Sequence, residues 1–298
     1  MDVLVSGSTG LVGTALGESL ERDGHRVRRL RRGSATGGDV AWDPARGEID
    51  AGSLEGLDAV VHLAGEGIGE HRWTDAQKRA IRDSRVQGTA LLARALAGRS
   101  RRPAVLVSGS AVGYYGKDRG DEVLTEESGP GSDFLAEVCV AWETATAPAS
   151  DAGIRVACVR SGVVVSGRGG TLPKMLRPFR LGLGGKQGPG TQYMSWISID
   201  DEVGAIRHLI DDGSLSGAVN LTAPSPVTNA EFAATLGRVL HRPTVLPTPL
   251  LALRAVYGRE LVDTLLLGSQ RVVPAKLTAG AYAFAHPDLE TALRAAIG

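Results

Sequence analysis

Apolar positions along the chain follow two rhythms. Short continuous runs at 3–6, 26–30, 59–63, 104–107 and 155–159 have the length and the Val, Leu and Ala content of buried strands. Between them, 11–22, 75–96 and 134–147 carry helical character. Strands that alternate with helices at this spacing predict βαβ units and a parallel sheet covered on both faces, which accounts for strands apolar on every residue. The rhythm breaks near Gly167. A Gly-rich segment (182–190), a strand at 195–199, a helix from Asp201 and a Pro-punctuated stretch (243–249) then lead into a last helical region ending at Gly298. The pattern predicts an α/β fold: a doubly wound parallel-sheet (Rossmann) domain over 1–165, with 195–222 returning to it. Segments 166–194 and 223–298 would form a smaller C-terminal substrate lobe.

Composition narrows the function classes. With 33 Lys and Arg against 33 Asp and Glu, the 298-residue chain has no net charge, which argues against a protein that covers nucleic-acid phosphates. Two cysteines, Cys139 and Cys158, exclude a disulfide framework and a Cys-based zinc site, and the six histidines show no metal spacing. No apolar run approaches the ~18 residues of a membrane span, and the first residues have no basic leader. The expectation is a soluble, cytoplasmic protein without a metal. Its expected partner is a small-molecule substrate, not nucleic acid or membrane, and a homodimer is left open.

The strongest local signal is Val3-Leu4-Val5-Ser6-Gly7-Ser8-Thr9-Gly10-Leu11-Val12-Gly13. Three glycines at spacing three sit where the first strand must turn into a helix. Gly7 permits the turn, Gly10 lets backbone N–H groups approach a pyrophosphate, and Gly13 lets helix and strand pack closely. The helix N-terminus adds unsatisfied donors and partial positive charge. A glycine triplet alone also fits an ordinary tight turn; its place on the first strand of a βαβ unit is what favours a dinucleotide, with Thr9, Leu11 and Val12 in the same turn. At the end of the second strand an NAD site usually carries an acid for the ribose 2′-hydroxyl. Here Val27-Arg28-Arg29-Leu30-Arg31-Arg32-Gly33 offers none; Arg31 and Arg32 suit a 2′-phosphate, so NADP is favoured over NAD. A solvated basic turn is the alternative.

Taken together, the glycine turn, Val60-Val61-His62-Leu63-Ala64-Gly65, the Ser-rich fifth strand and Trp196-Ile197-Ser198-Ile199-Asp200-Asp201 resemble the extended short-chain dehydrogenase/reductases. Further marks resemble a narrower subgroup, NAD(P)-dependent and epimerase/dehydratase-like. They are Trp42-Asp43-Pro44, Arg72-Trp73-Thr74 with Lys78, Ser84-Arg85-Val86, the run from Ser108 through Ser110 to Gly116, Phe134 to Cys139, Gln192 to Asp201, and Ser269 to Pro274 with Lys276-Leu277. The tail, from about 245 to 298, resembles that subgroup's small C-terminal domain. The resemblance implies that Leu63, Ala64 and Gly65 border the adenosine part of the cofactor. It also implies that Ser108 and the Arg160-Ser161-Gly162-Val163 segment belong to its binding site, the segment on the nicotinamide side. Arg85 stands where extended members usually carry Asn. Close packing at a strand end is the alternative for Ala64 and Gly65.

The same resemblance exposes a departure. Family chemistry needs a Ser, then a Tyr, then a Lys four residues later, the Tyr exchanging the substrate proton while hydride passes to or from nicotinamide. Ser110 matches, but the Tyr position falls on Phe134 and the Lys position on Val138. Losing a general base typically costs ~10²–10⁴ in rate. Tyr114 and Tyr115, just after Ser110, are the candidate substitutes, or simply packing residues. Lys78, Arg82 and Arg85 share one helix face that could meet a phosphate or an acidic substrate, or only solvent. His71 could reach the cleft from its loop, or be an ordinary surface histidine. The 182–190 segment could close as a lid with Gln187 or Gln192 as donor, or simply connect, and Trp196 could line the cleft or sit in the core. Two functions follow: an atypical NADP-dependent oxidoreductase or epimerase-like enzyme acting on a small polar substrate, or a redox-state binding module that holds NADP without turnover.

Overall fold

The computed structural model describes residues 1–33 and 35–298. Its main sheet has eight strands in the order β12 (Gly217–Leu221), β8 (Arg155–Ser161), β6 (Val105–Ala111), β5 (Ala59–His62), β1 (Asp2–Ser6), β2 (Arg26–Arg32), β3 (Val40–Asp43) and β4 (Glu48–Ile49). All neighbours are parallel except the β3–β4 edge pair. The chain starts mid-sheet at β1, winds outward through β2 and β3, then returns through β5 and winds the other way. The reversal falls between β1 and β5, and ligands of open α/β sheets lie beyond the carboxyl ends of the strands at such a point.

Both faces are covered. Leu16 and Leu20 of α1 (Leu11–Arg22) pack with Ile206 and Leu209 of α6 (Ile199–Asp211) against Val3, Val5, Val61, Val107 and Val159. The opposite face carries Leu91, Leu92 and Leu96 of α2 (Asp75–Ala97) on Leu4, Val60 and Leu106. Thr74 caps α2 by accepting the Gln77 N–H. The helix expected over 134–147 is two: α3 (Phe134–Thr144), capped by Asp133, and α4 (Ala147–Asp151). Pro148 stands in the first turn of α4, and proline supplies no N–H to continue the preceding helix.

A third apolar cluster joins β9 (Val163–Val165), β11 (Trp196–Ser198), α5 (Leu172–Arg180), α7 (Asn229–Leu240) and α11 (Leu289–Ile297) around Trp196, Phe232 and Leu293. β9 and β11 pair in parallel, and β10 (Tyr193–Met194) pairs with β13 (Val227–Thr228). β14 (Ser269–Val272) reaches back to β7 (Asp118–Leu124) and joins Val272 to Tyr115 and Leu124. Three helices complete the C-terminal part: α8 (Leu250–Tyr257), α9 (Arg259–Leu265) and α10 (Ala275–Ala279).

Candidate functional site

The glycine turn lies at the switch point. Gly7 has φ +66°, a conformation side chains rarely adopt, and a Cβ there would meet the Leu63 carbonyl and the Ala64 nitrogen at 2.8–2.9 Å. A Cβ on Gly13 would run into the Gly7 carbonyl oxygen. Both glycines are therefore required by the backbone itself. Gly10 differs: an added Cβ would meet only the Gly7 oxygen, at 3.2 Å, and otherwise face open space. Gly10 begins α1 with no side-chain cap, and the N–H groups of Leu11, Val12 and Gly13 have no acceptor among the described residues. Thr9 is exposed beside them, while Leu11 packs on the Gly169–Gly170 turn. Three aligned donors with the positive end of a helix dipole behind them form a cradle for an anion, and these residues fit a dinucleotide pyrophosphate.

Flanking strands close the cradle. The Leu63 and Ala64 N–H groups donate to Ser6 Oγ (3.0 and 3.2 Å), and Ser6 Oγ lies 2.6 Å from His62 Nδ1. Burial pulls His62 down to about 4, so it is neutral. At the β2 end, Arg31 Nε pairs with Asp39 Oδ2 at 3.0 Å, while Arg32 is exposed and has no ion pair among the described residues. A carboxylate does stand here, contrary to expectation, supplied by the β2–β3 connection. Arg85 also departs from expectation. Its Nη1 donates to the carbonyls of Glu66 (2.9 Å) and Ile81 (3.0 Å), its guanidinium lies over Trp142, and a Cβ on Gly65 would touch it at 3.2 Å. Arg85 supports the Gly65–Glu66 backbone from below; burial pulls its guanidinium below the ordinary arginine range.

The carboxyl edge of β6 and β8 holds a buried polar network. Ser110 Oγ donates to Glu143 Oε1 at 2.7 Å, and Arg160 grips both oxygens of Glu143 (2.8 and 2.9 Å). Arg160 Nη1 donates to the Tyr115 hydroxyl (3.0 Å), which donates to Asn220 Oδ1 (2.6 Å). Burial opposes the Arg160 charge, but Glu143 outweighs it and keeps the guanidinium protonated. Tyr115 is wholly buried, and burial raises its hydroxyl above the ordinary tyrosine value. Tyr115, expected as a candidate proton donor, and Arg160, expected within the segment on the nicotinamide side, both have their polar groups engaged by internal partners. Tyr114 is half-buried, its ring stacked 3.3 Å from the Arg160 guanidinium carbon, and its hydroxyl has no partner among the described residues. Ser108 is fully buried and offers a site only its backbone. Gly162 lies too close to the Ser195 carbonyl for any side chain (2.6 Å to a Cβ), and the Val163 N–H donates to that same carbonyl at 2.8 Å.

Where the family Tyr would stand, Phe134 packs edge-on against Trp73 (5.4 Å) with the Lys78 ammonium 5.3 Å from its ring; Val138 is buried in the core. Lys78 pairs with Glu260 of α9, and Arg72 donates to the carbonyls of Ala255 and Val256 at the end of α8. Lys78 and Arg85 thus diverge rather than forming one basic face. The 182–190 segment is a packed connection: a Cβ on Gly184 would enter the Phe179 ring, and Thr248 N–H donates to Lys186 O at 2.9 Å. Gln192 donates to the Gln187 and Leu266 carbonyls, and Trp196 is wholly buried. Sequence reasoning missed Glu143, Asn220 and Glu202. Glu202 is buried, accepts the Ser161 hydroxyl at 2.6 Å, and is pushed up to about 7 by burial. A lone Glu in a helical stretch, or a lone Asn in a strand, carries no mark of the partner it will meet, so no signal pointed to them. Among the described residues no group of His, Cys, Asp and Glu could hold a metal, and no helix is long and apolar enough to cross a membrane. A groove of about 540 Å³ between α1, α6 and α11, lined by Glu18, Arg168, Arg207 and His208, shares none of the site residues above.

Comparison with known proteins agrees with this geometry. Residues 3–221 match the NAD dependent epimerase/dehydratase family, and residues 248–296 match a domain of unknown function, DUF1731. An epimerase family protein of Mycobacterium tuberculosis is 46% identical over 292 residues, covering 98% of this chain and 96% of its own. The crystal structure of human epimerase family protein SDR39U1 with NADPH superposes with a TM-score of 0.91 at 37% identity, covering 99% of both chains. A nucleoside-diphosphate sugar epimerase from Corynebacterium glutamicum matches at a TM-score of 0.82 and 43% identity, covering all of this chain and 58% of that one. This chain belongs to the NAD dependent epimerase/dehydratase family.

Proposed function

We propose that this protein binds NADP(H) across the Gly7–Gly13 turn and is an oxidoreductase or epimerase-like enzyme acting on a small polar substrate. The observation that carries the reading is the uncapped start of α1 at the sheet's switch point, where the Leu11, Val12 and Gly13 N–H groups have no acceptor among the described residues. The 37%-identical human relative, crystallised with NADPH, supports the same cofactor. Arg32, with Arg31, would take the 2′-phosphate; Leu63 to Gly65 would border the adenosine, and Gly162 and Val163 the nicotinamide. When bound, the cofactor supplies a hydride acceptor or donor. Phe134 has no proton to exchange, so proton transfer falls to Tyr114, the one of the three candidate hydroxyls without an internal partner. Ser110, pinned by Glu143, orients its lone pairs for a substrate hydroxyl.

Titrating the protein with NADPH and NADH, read by nicotinamide fluorescence, tests the binding half; NADPH should bind at least tenfold tighter. Equal affinities, or no binding of either, would defeat it. Incubation of the loaded protein with nucleoside-diphosphate sugars and simple carbonyl compounds tests the chemical half. Tyr114→Phe should then slow turnover by ~10²-fold or more while leaving NADPH affinity unchanged. A second reading, a redox-state binding module without turnover, is favoured by one observation: Phe134 and Val138 replace the Tyr and Lys, with Val138 sealed in the core. Firm NADPH binding with no turnover in any assay would select it.

A further inference from the structure

The end of β8 sends two neighbouring polar side chains to opposite faces of the sheet, and each ends on a carboxylate. Arg160 meets Glu143 of α3 on one face, charge against charge. Ser161 meets Glu202 of α6 on the other, and there the partner is only a hydroxyl: Ser161 Oγ lies 2.6 Å from Glu202 Oε1. Glu202 is 1% exposed, its Oε2 is buried without a partner, and no cation pairs with it among the described residues. The titratable groups around it are turned to one another. Asp200 pairs with His286, and Asp201 accepts the Ser198 hydroxyl and the Ala285 and His286 N–H groups. The Tyr282 hydroxyl, raised by burial and by these three acids, donates to the Asp201 carbonyl at 3.2 Å.

An ionised carboxylate without a cation is costly in such a place, and a neutral one much less so. Protonation also reverses the hydrogen bond. The carboxylate accepts from Ser161. The acid, with its proton on Oε1, donates to Ser161 Oγ and leaves only a neutral carbonyl oxygen unpaired in the deep position. The Ser161 proton is then free to turn outward. Ser161 is half-buried and directly precedes Gly162 and Val163 at the carboxyl edge of the sheet. We propose that Ser161 donates a hydrogen bond to an acceptor on the nicotinamide half of the bound cofactor, and that neutral Glu202 is the positioning residue that keeps Ser161 a donor toward it. The inference rests on the NADP(H) reading above and adds to it a residue pair outside the glycine turn. Burial pushes Glu202 up to about 7, so the pair changes state near neutral pH, and cofactor affinity should fall as pH rises through that value.

Fluorescence titration with NADPH at pH 6.5, 7.5 and 8.5 tests the proposal in the parent, Glu202→Gln and Ser161→Ala, with circular dichroism to check that each is folded. The parent should bind roughly three- to tenfold more weakly at pH 8.5 than at 6.5, the strength of one neutral hydrogen bond. The 2′-phosphate of NADPH ionises near pH ~6 and would tighten binding as pH rises, so it cannot produce this fall. Glu202→Gln should keep the tight affinity at all three values. Its NH2 group, turned toward Ser161, mimics the acid, because turning it inward would bury two unpaired donors. Ser161→Ala should bind at pH 6.5 as weakly as the parent does at 8.5, with no further fall. Should either variant misfold, the parent profile still decides: firm binding that does not weaken with rising pH overturns the inference alone. So does a fall that folded Glu202→Gln retains, or a folded Ser161→Ala that matches the parent at pH 6.5. No binding of NADPH at any pH overturns the cofactor reading and this inference together.

Discussion

Arg31 Nε and Asp39 Oδ2 lie 3.0 Å apart at the end of β2, and the other Asp39 oxygen accepts the Arg29 N–H at 3.0 Å. The pair changes how the basic run at 28–32 reads. A guanidinium whose Nε edge is already held by a carboxylate keeps its terminal nitrogens for a phosphate, but its charge is partly neutralised. Arg32, exposed and without an ion pair among the described residues, carries the larger share. Arg32→Ala should therefore weaken NADPH by about 1.5–3 kcal/mol, the range of hydrogen bonds to charged groups. Arg31→Ala should cost less, and NADH affinity should barely move in either. Calorimetric titration of both cofactors checks this; an equal loss for NADH would mean that neither arginine reads the 2′-phosphate.

The three glycines should separate into two classes. Gly13→Ala drives a methyl into the Gly7 carbonyl, so it should destabilise the fold by more than 1 kcal/mol, as overpacking does. Gly10→Val meets only the Gly7 oxygen, at 3.2 Å, so it should lower the urea midpoint far less than Gly13→Ala while abolishing NADPH binding. Retained binding in folded Gly10→Val would show that the pyrophosphate lies elsewhere.

Around Arg160 the expected effects follow internal partners. Arg160→Met leaves Glu143 without its bidentate partner, and breaking a buried pair this way costs about 3–5 kcal/mol. Tyr115→Phe strands Arg160 Nη1 and Asn220 Oδ1 and should cost about 1–3 kcal/mol. Tyr114→Phe removes a hydroxyl with no internal partner, so its stability should stay within about 0.5 kcal/mol of the parent. Urea denaturation of the three variants gives the ranking; a Tyr114→Phe loss as large as that of Tyr115→Phe would contradict it.

Two buried groups make opposite contributions to pH dependence. His62 falls to about 4 in the folded protein from an ordinary 6.5, so the unfolded chain takes the proton first and stability drops as pH falls through that window. Glu202 rises to about 7 from 4.5, so the folded protein takes the proton first and stability drops as pH rises from 4.5 through 7. Each amounts to about 3 kcal/mol at ~1.4 kcal/mol per pKa unit, and between 4.5 and 6.5 they offset one another. Glu202→Gln should remove one limb. The variant should be more stable than the parent at pH 8 by up to about 3 kcal/mol, and should show the uncompensated loss toward pH 4.5. Chemical denaturation at pH 5, 6.5 and 8 reads both slopes, and parallel profiles for parent and variant would refute the assignment.

By itself, the sequence determined what depends on neighbours in the chain. The apolar runs, the helices between them and the glycine spacing specify βαβ units and the phosphate turn, because strand burial, helix periodicity and a positive φ at Gly7 are local requirements. The helix over 11–22 and the strands around 3–6 and 155–159 were legible for that reason. The replacement of the family Tyr and Lys by Phe134 and Val138 was equally plain, since it is a matter of identity at a spacing. What only the tertiary structure decided is which polar side chains face a ligand and which face one another. Asp39 meets Arg31 across a loop, Glu143 reaches Ser110 from 33 residues away, Arg160 finds Tyr115 from 45, and Asn220 completes the set from another 60. Arg85 lies one helical turn from exposed positions yet turns inward beneath Gly65. A charged residue has the same letter in solvent as in a buried pair. The difference is set by the crossing of distant strands, which bring partners together and remove the water that would otherwise compete for them.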